Sequence, residues 1–146
     1  MSKIALFPGS FDPFTKGHAD IVRRALRLFD GVVVAVGYNE QKPGFLTVDK
    51  RLSTIQKIYA QEPRVSVESY KCLTVDFAKE KGVCAIVRGV RSVKDYEYEM
   101  QMADVNRQLS GIETVLLPAS ADLAAISSSV VRELAHFGHD ISPFLP

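Results

Sequence analysis

Short, largely β-branched apolar runs alternate along this chain with stretches in which apolar residues recur every three or four positions. Ile4 to Phe7 reads as a first strand, and Ala19 to Phe29 as the helix after it. In that helix Val22, Ala25, Leu26 and Phe29 fall on one stripe, with Arg23, Arg24 and Arg27 mostly outside it. Val32 to Val36 is continuously apolar, which predicts a strand buried on both faces. Thr47 stands where it would cap a helix running to about Tyr59, with Asp49 favourable in its first turn. Val65 to Val67 predicts a third strand, and Val75 to Lys81 a short helix stopped by Gly82. Ala85 to Val87 and Thr114 to Leu117 predict the fourth and fifth strands. Between them Tyr96-Glu97-Tyr98-Glu99-Met100-Gln101-Met102 alternates like a strand. No turn residue interrupts Asp95 to Leu109, however, and that length predicts a helix. A last helix is expected from Ser128 to about His136.

Five strands alternating with helices imply an α/β fold, a Rossmann-like doubly wound parallel sheet, because parallel strands need crossover connections. No repeat, low-complexity tract or linker divides the chain, so one domain is expected over residues 1–146. In such sheets ligands bind outside the carboxyl ends of the strands. The loops of interest are therefore 8–18, 37–47, 69–74, 88–95 and 118–128.

Composition narrows the field mainly by exclusion. Lys and Arg number 18 against 17 Asp and Glu, so a nucleic-acid or membrane-surface binder, which carries a basic excess, is not expected. The apolar run at the N-terminus is too short for a signal peptide, and no stretch is long enough to cross a bilayer. Cys72 and Cys84 share no metal-ligand spacing with each other or with His18, His136 and His139. They read as reduced structural thiols of a cytoplasmic protein.

Three of the loops offer anion chemistry. Pro8-Gly9-Ser10-Phe11-Asp12-Pro13-Phe14-Thr15-Lys16-Gly17-His18 leaves the first strand and enters a helix. Its glycines permit close backbone approach, and free N–H groups at a helix start attract phosphate. His18 falls in the first turn. The loop is neither a P-loop nor a dinucleotide fingerprint. Arg88-Gly89-Val90-Arg91 comes after the fourth strand, with planar fixed-charge donors on either side of a glycine. Ile126-Ser127-Ser128-Ser129 comes after the fifth strand and leads into the last helix, where hydroxyls and free amides suit an anion but, taken alone, simple capping by Ser127 or Ser128 is the better reading. Lys42 and Glu99 carry no independent signal, and Tyr96, Tyr98, Met100 and Met102 read as core or subunit interface. The convergence of three anion-binding loops on one sheet edge is what points to a phosphate-bearing ligand.

Pro8-Gly9-Ser10-Phe11-Asp12-Pro13 followed by Thr15-Lys16-Gly17-His18 is similar to the T-x-G-H signature of the phosphopantetheine adenylyltransferases, a branch of the H-x-G-H nucleotidyltransferases. Arg88-Gly89-Val90-Arg91, Tyr98-Glu99-Met100-Gln101, Asn106-Arg107 and Ile126-Ser127-Ser128-Ser129 resemble the same family in order and spacing. The resemblance runs from Ile4 to Pro146 and implies adenylyl transfer from ATP to 4′-phosphopantetheine, giving dephospho-coenzyme A and pyrophosphate, by direct in-line attack on the α-phosphorus. It also implies Mg²⁺ with the ATP phosphates, a homohexamer of two stacked trimers, and feedback binding of coenzyme A. By position it implies His18, Lys42 and Arg91 as catalytic. Ser10, Phe11, His18, Gly89, Val90, Arg91, Glu99 and the run Ala124, Ala125, Ile126, Ser127, Ser128, Ser129, Val130 would hold ATP. Ser10, Lys42, Thr74, Arg88, Met102 and Asn106 would hold phosphopantetheine.

Three positions depart from the family pattern. Lys16 stands where a neutral residue is expected, and Thr74 where aliphatic residues are common. A further short helix is expected beyond Phe144-Leu145-Pro146. Two other functions compete. A sister transferase acting on nicotinamide mononucleotide or glycerol phosphate would favour a second histidine where this chain has Thr15. A catalytically idle nucleotide-binding module is disfavoured by His18, Lys42, Arg88 and Arg91 occurring together.

Overall fold

The computed structural model describes residues 2–146. It contains five strands, β1 (Ile4–Gly9), β2 (Gly31–Gly37), β3 (Val65–Tyr70), β4 (Ala85–Val90) and β5 (Glu113–Pro118). Five α-helices alternate with them: α1 (Lys16–Ala25), α2 (Val48–Ile58), α3 (Thr74–Lys81), α4 (Val93–Ser110) and α5 (Ser128–His136). A single turn of 3-10 helix at Ser142–Phe144 lies near the C-terminus. All strand pairs are parallel, in the order β3-β2-β1-β4-β5, which is the doubly wound α/β sheet expected.

Strand alternation divides the core between the two sheet faces. Ala5 and Phe7 of β1, with Val32, Val34 and Val36 of β2, pack on one side with Val22 and Ala25 of α1 and Ile55 of α2. Leu6, Val33 and Ala35 point the other way, against Val75, Phe77 and Ala78 of α3. Burial on both faces explains why β2 shows no polar alternation.

The chain leaves β1 in one direction for β2 and β3, and later crosses back to β4 and β5, so the topological switch lies between β1 and β4. Strand pairing is shortest at this switch. β1 pairs with β2 as far as Gly9↔Val36, and β4 with β5 as far as Val90↔Pro118. β1 and β4 pair only at Ala5↔Ala85 and Leu6↔Ile86. Beyond those two pairs their carboxyl ends separate, and the crevice expected of such sheets opens there.

Several boundaries differ from the sequence reading. α1 starts at Lys16 rather than Ala19 and ends at Ala25, leaving Leu26 to Leu28 as turn and Phe29 as a bend. The capping chemistry of Thr15 overrides the apolar stripe that suggested a later start. β1, β3 and β4 run two or three residues past their apolar runs, because ladder pairing continues after burial ends. Arg88, Gly89 and Val90 therefore belong to β4 and not to the loop after it. Gly89 serves packing: a Cβ there would lie 3.1 Å from the Ile21 side chain of α1. The alternating segment is helix α4, with caps at Ser92 and Gly111, as its length predicted. Cys72 and Cys84 are exposed and free. Tyr96, Tyr98, Met100 and Met102 are exposed as well, which excludes them from the core of this chain.

Candidate nucleotide-transfer site

Residues 10–15 connect the end of β1 to α1 by an unusual backbone path. Phe11 is a non-glycine residue with φ of 50°, a left-handed conformation that costs roughly 1–2 kcal/mol for an L-residue. The return is aromatic packing at the cavity floor. Phe11 is buried, meets Phe7 and Phe14 edge-on at 5.2 and 5.3 Å, and stands T-shaped to His18 at 4.9 Å. Gly9 makes room for this ring, since a Cβ there would stand 2.9 Å from Phe11 Cζ.

Thr15 and His18 cap α1 reciprocally. The His18 N–H donates to Thr15 Oγ1, and the Thr15 N–H donates to His18 Nδ1 at 2.9 Å. A backbone N–H can only donate, so Nδ1 must be the acceptor and the proton of the neutral ring sits on Nε2. Burial, reinforced by the positive charges of Arg88 and Arg91, lowers the His18 pKa from 6.5 to about 3. The imidazole is thus a neutral hydrogen-bond donor, fixed in tautomer, at physiological pH.

This shift has a measurable consequence for stability. Between about pH 3 and pH 6.5 the unfolded chain binds a proton at His18 that the folded protein does not. Stability therefore falls as the pH drops through that window, by up to about 1.4 kcal/mol per pH unit from this group. Denaturant melts at pH 7 and pH 4.5 should show a His18→Asn variant losing about 2–3 kcal/mol less than wild type on acidification. Equal losses would mean that His18 is protonated in the folded protein.

A cavity of about 380 Å³ opens over this floor, lined among others by Ser10, Phe11, His18, Gly89, Arg91, Glu99 and residues 126–129. A second cavity of about 250 Å³ adjoins it, lined by Ser10, Thr74, Arg88, Met102 and Asn106 with Tyr70 and Leu73. Pro8, Gly9, Ser10, Arg88, Tyr98 and Glu99 line both and form the shared wall. Arg88 is the centre of that wall. Its Nε and Nη2 donate to Glu99 at 2.8–3.1 Å, and Nη1 donates to the Pro8 carbonyl. Glu99 is thereby committed to holding Arg88 in the cleft between β1 and β4. Arg91 lies at the rim with its Nε 3.4 Å from Asp95.

The serine run divides its tasks. Ser127 caps α5 by accepting from Val130, Ser128 donates to the Pro13 carbonyl at 2.8 Å, and Ser129 accepts from Arg132 at 3.2 Å. The hydroxyls thus hold the structure, while Ser128 and Ser129 at the start of α5 line the cavity, where a helix N-terminus suits an anion.

Not every expected residue lines a cavity. Val90, Ala124, Ala125 and Val130 lie outside the nucleotide-sized one, and Lys42 is exposed on the loop between β2 and α2, outside both. Lys16 is exposed and also lines neither. The Thr74 hydroxyl is paired with the Tyr70 hydroxyl at 2.9 Å, beside the second cavity. Sequence reasoning missed Arg132, which lines the larger cavity and donates to the Asp12 carbonyl at 2.8 Å. Its place four residues after Ser128, on the same helix face, was the available signal.

Residues 6–134 match the cytidylyltransferase-like family. A phosphopantetheine adenylyltransferase of Phocaeicola vulgatus is 53% identical over 142 residues, covering 97% of this chain and 94% of the relative. One from Porphyromonas gingivalis is 54% identical over 143 residues, covering 98% and 94%. Among solved structures, a bifunctional NMN adenylyltransferase/ADP ribose pyrophosphatase of Francisella tularensis, complexed with AMP and a manganese ion, superposes with a TM-score of 0.75. At 16% identity, with 99% of this chain and 44% of that one covered, it shares the fold alone. Identity above one-half across nearly the whole of both chains goes well beyond a shared fold, and the chain belongs to the phosphopantetheine adenylyltransferase family.

Proposed function

We propose that the protein transfers the adenylyl group of ATP to 4′-phosphopantetheine, giving dephospho-coenzyme A and pyrophosphate, with residues 1–146 acting as one nucleotidyltransferase domain. The observation that carries this reading is the pair of adjoining cavities sharing the Ser10–Arg88 wall, with a neutral histidine donor in the larger. ATP occupies the larger cavity and the pantetheine arm the smaller, so the two phosphates meet at the wall. An oxygen of the phosphopantetheine phosphate forms the new bond to the α-phosphorus, and the bond from that phosphorus to the β-phosphate oxygen breaks. The incoming phosphate is already a nucleophile and needs no activated side chain. Catalysis then consists of positioning and charge stabilisation. His18 Nε2–H donates to the α-phosphate, Arg91 and the α5 amides bind along the phosphate chain, and Lys42 joins the phosphates from its loop.

The cavity carboxylates suit a metal that travels with its substrate. Glu99 is bound to Arg88, Asp95 is engaged by Arg91, and no group of three His, Cys, Asp or Glu side chains among the described residues forms a metal-holding cluster. Mg²⁺ held mainly by the ATP phosphates fits this donor set and would neutralise charge on the leaving group.

On α4, Tyr98, Met102, Val105 and Leu109 recur at i, i+4, i+7 and i+11, and all four are exposed. A helix stripe of this kind is covered by another subunit in an assembly. We read it as part of a homohexamer, which a monomer mass in light scattering would refute. Among the described residues no helix is long and apolar enough to cross a membrane, and we place the reaction in the cytoplasm, where ATP is supplied. Feedback binding of coenzyme A, which carries both substrates' moieties, belongs to the same reading.

Pyrophosphate release from ATP and Mg²⁺ is the test, with phosphopantetheine, nicotinamide mononucleotide and glycerol phosphate compared as acceptors. Turnover with phosphopantetheine alone is expected. Preference for either other acceptor would replace the reading with that of a sister transferase.

A further inference from the structure

The loop between β2 and α2, which carries Lys42, is held down by two buried charges that line neither cavity. Asp12 and Arg51 are each 7% exposed. Asp12 Oδ2 accepts the Phe45 N–H at 2.8 Å, and Oδ1 accepts the Leu46 N–H at 2.7 Å. Arg51, in the early part of α2, donates from Nε to the Leu46 carbonyl at 3.1 Å and from Nη1 to the Ser10 carbonyl at 2.9 Å. The two charges stand 4.0 Å apart, from Arg51 Nε to Asp12 Oδ1. Gly44 completes the contact, because a Cβ there would come within 2.5 Å of Asp12 Oδ2.

The partners show what this pair does. A buried ion pair that only filled the core would be neutral or worse for stability beside apolar residues of the same volume. Here the strong hydrogen bonds go to backbone groups of two loops, the one presenting Ser10 and the one carrying Lys42. A satisfied buried network of this kind fixes geometry more than it adds stability. At the far end of the Lys42 loop, the Tyr38 N–H donates to the Tyr70 carbonyl at 3.1 Å, and the Lys42 N–H closes a turn onto the Asn39 carbonyl at 3.0 Å. Lys42 therefore stands between a fixed strand end and the Asp12 clamp, three residues before Phe45.

We propose that Asp12 and Arg51 are a positioning pair for the transfer reaction, setting the Lys42 loop against the Ser10 backbone so that the acceptor phosphate meets a pre-placed cation. This rests on the functional reading above. Neither residue touches substrate, and their effect passes through Lys42.

The experiment is a double-mutant cycle of Asp12→Asn and Lys42→Ala, read as pyrophosphate release at varied phosphopantetheine, with ATP affinity titrated separately. An amide at residue 12 keeps the shape but loses the charge and one of the two acceptors. Asp12→Asn should lower kcat/KM for phosphopantetheine about tenfold or more, chiefly through KM, while ATP affinity changes less than about threefold. In the Lys42→Ala background the same change should cost less than about threefold, because the two residues act in series. Equal costs in both backgrounds would overturn the proposal. If Asp12→Asn does not fold, Gly44→Ala crowds the same carboxylate with both charges retained and enters the same cycle. Hydrogen exchange at the Phe45 and Leu46 amides reads the clamp without activity. Faster exchange there in the variant, with the central sheet unchanged, is expected, and unchanged exchange would refute the clamp. If wild type shows no turnover on phosphopantetheine, the functional reading fails, and with it the role assigned to the pair.

Discussion

Replacing His18 with alanine is expected to lower turnover about a hundredfold to a thousandfold while leaving the fold in place. The size reflects what the side chain supplies. Its Nε2–H is a neutral donor whose direction is set by the Thr15 N–H on Nδ1, so in the proposed reaction it would need no reorganisation as charge grows on the α-phosphate. A donor of this kind acts mainly in the transition state, and the loss should fall on kcat with little change in KM for ATP. The substitution also leaves the Thr15 N–H without its acceptor at a part-buried site, a cost of about 1 kcal/mol or more that is small beside the kinetic effect. Steady-state pyrophosphate release with a thermal melt on the same sample is the check. Wild-type turnover in the variant would remove His18 from the reaction.

Arg88→Met is expected to cost both activity and stability. Glu99 is buried, and Arg88 provides three of its hydrogen-bond contacts, so removing the guanidinium strands a carboxylate in the cleft. Breaking a buried pair typically costs 3–5 kcal/mol, and about 3 kcal/mol is expected because the Arg88 side chain is one-third exposed. The Pro8 carbonyl loses its donor as well. The double variant Arg88→Met, Glu99→Leu should recover most of the stability, since both charges leave together, yet remain inactive because the shared wall has lost its cation. Recovery of activity in the double variant would mean that Arg88 serves only to neutralise Glu99. Denaturant midpoints and turnover on the three proteins separate the two roles.

The sheet and its helices were legible because each rests on local patterns. The apolar run of β2, the caps at Thr47 and Gly82, and the uninterrupted length of α4 are each contained in a short window of the chain. The same locality explains the boundary errors. Strand ends beyond the apolar run are held by neighbouring strands, as Arg88 is opposite Leu116 of β5, and no window of sequence contains both partners. The early start of α1 was written in Thr-x-x-His, a capping pattern with histidine in the place usually taken by Glu or Gln.

The candidate site was legible as a set of residue types and only partly as an arrangement. Spacing placed Ser10, His18, Arg88, Arg91 and Ser127 to Ser129 at one sheet edge, since the position of carboxyl-end loops is set by alternation alone. The pairing of Arg88 with Glu99 joins residues 11 apart through a strand-to-helix turn, and the contact of Asp12 with Phe45 and Leu46 spans 33 and 34 residues. Side-chain periodicity carries no record of such distances. Sequence is enough to set which residues are helical, which strands are buried and which loops meet the ligand, because short-range sterics, capping and burial decide those. The splaying of β1 from β4, the tautomer and lowered pKa of His18, and the commitment of Glu99 and Asp12 to other side chains and loops are settled only on folding. Each depends on desolvation and on charges brought together from distant parts of the chain.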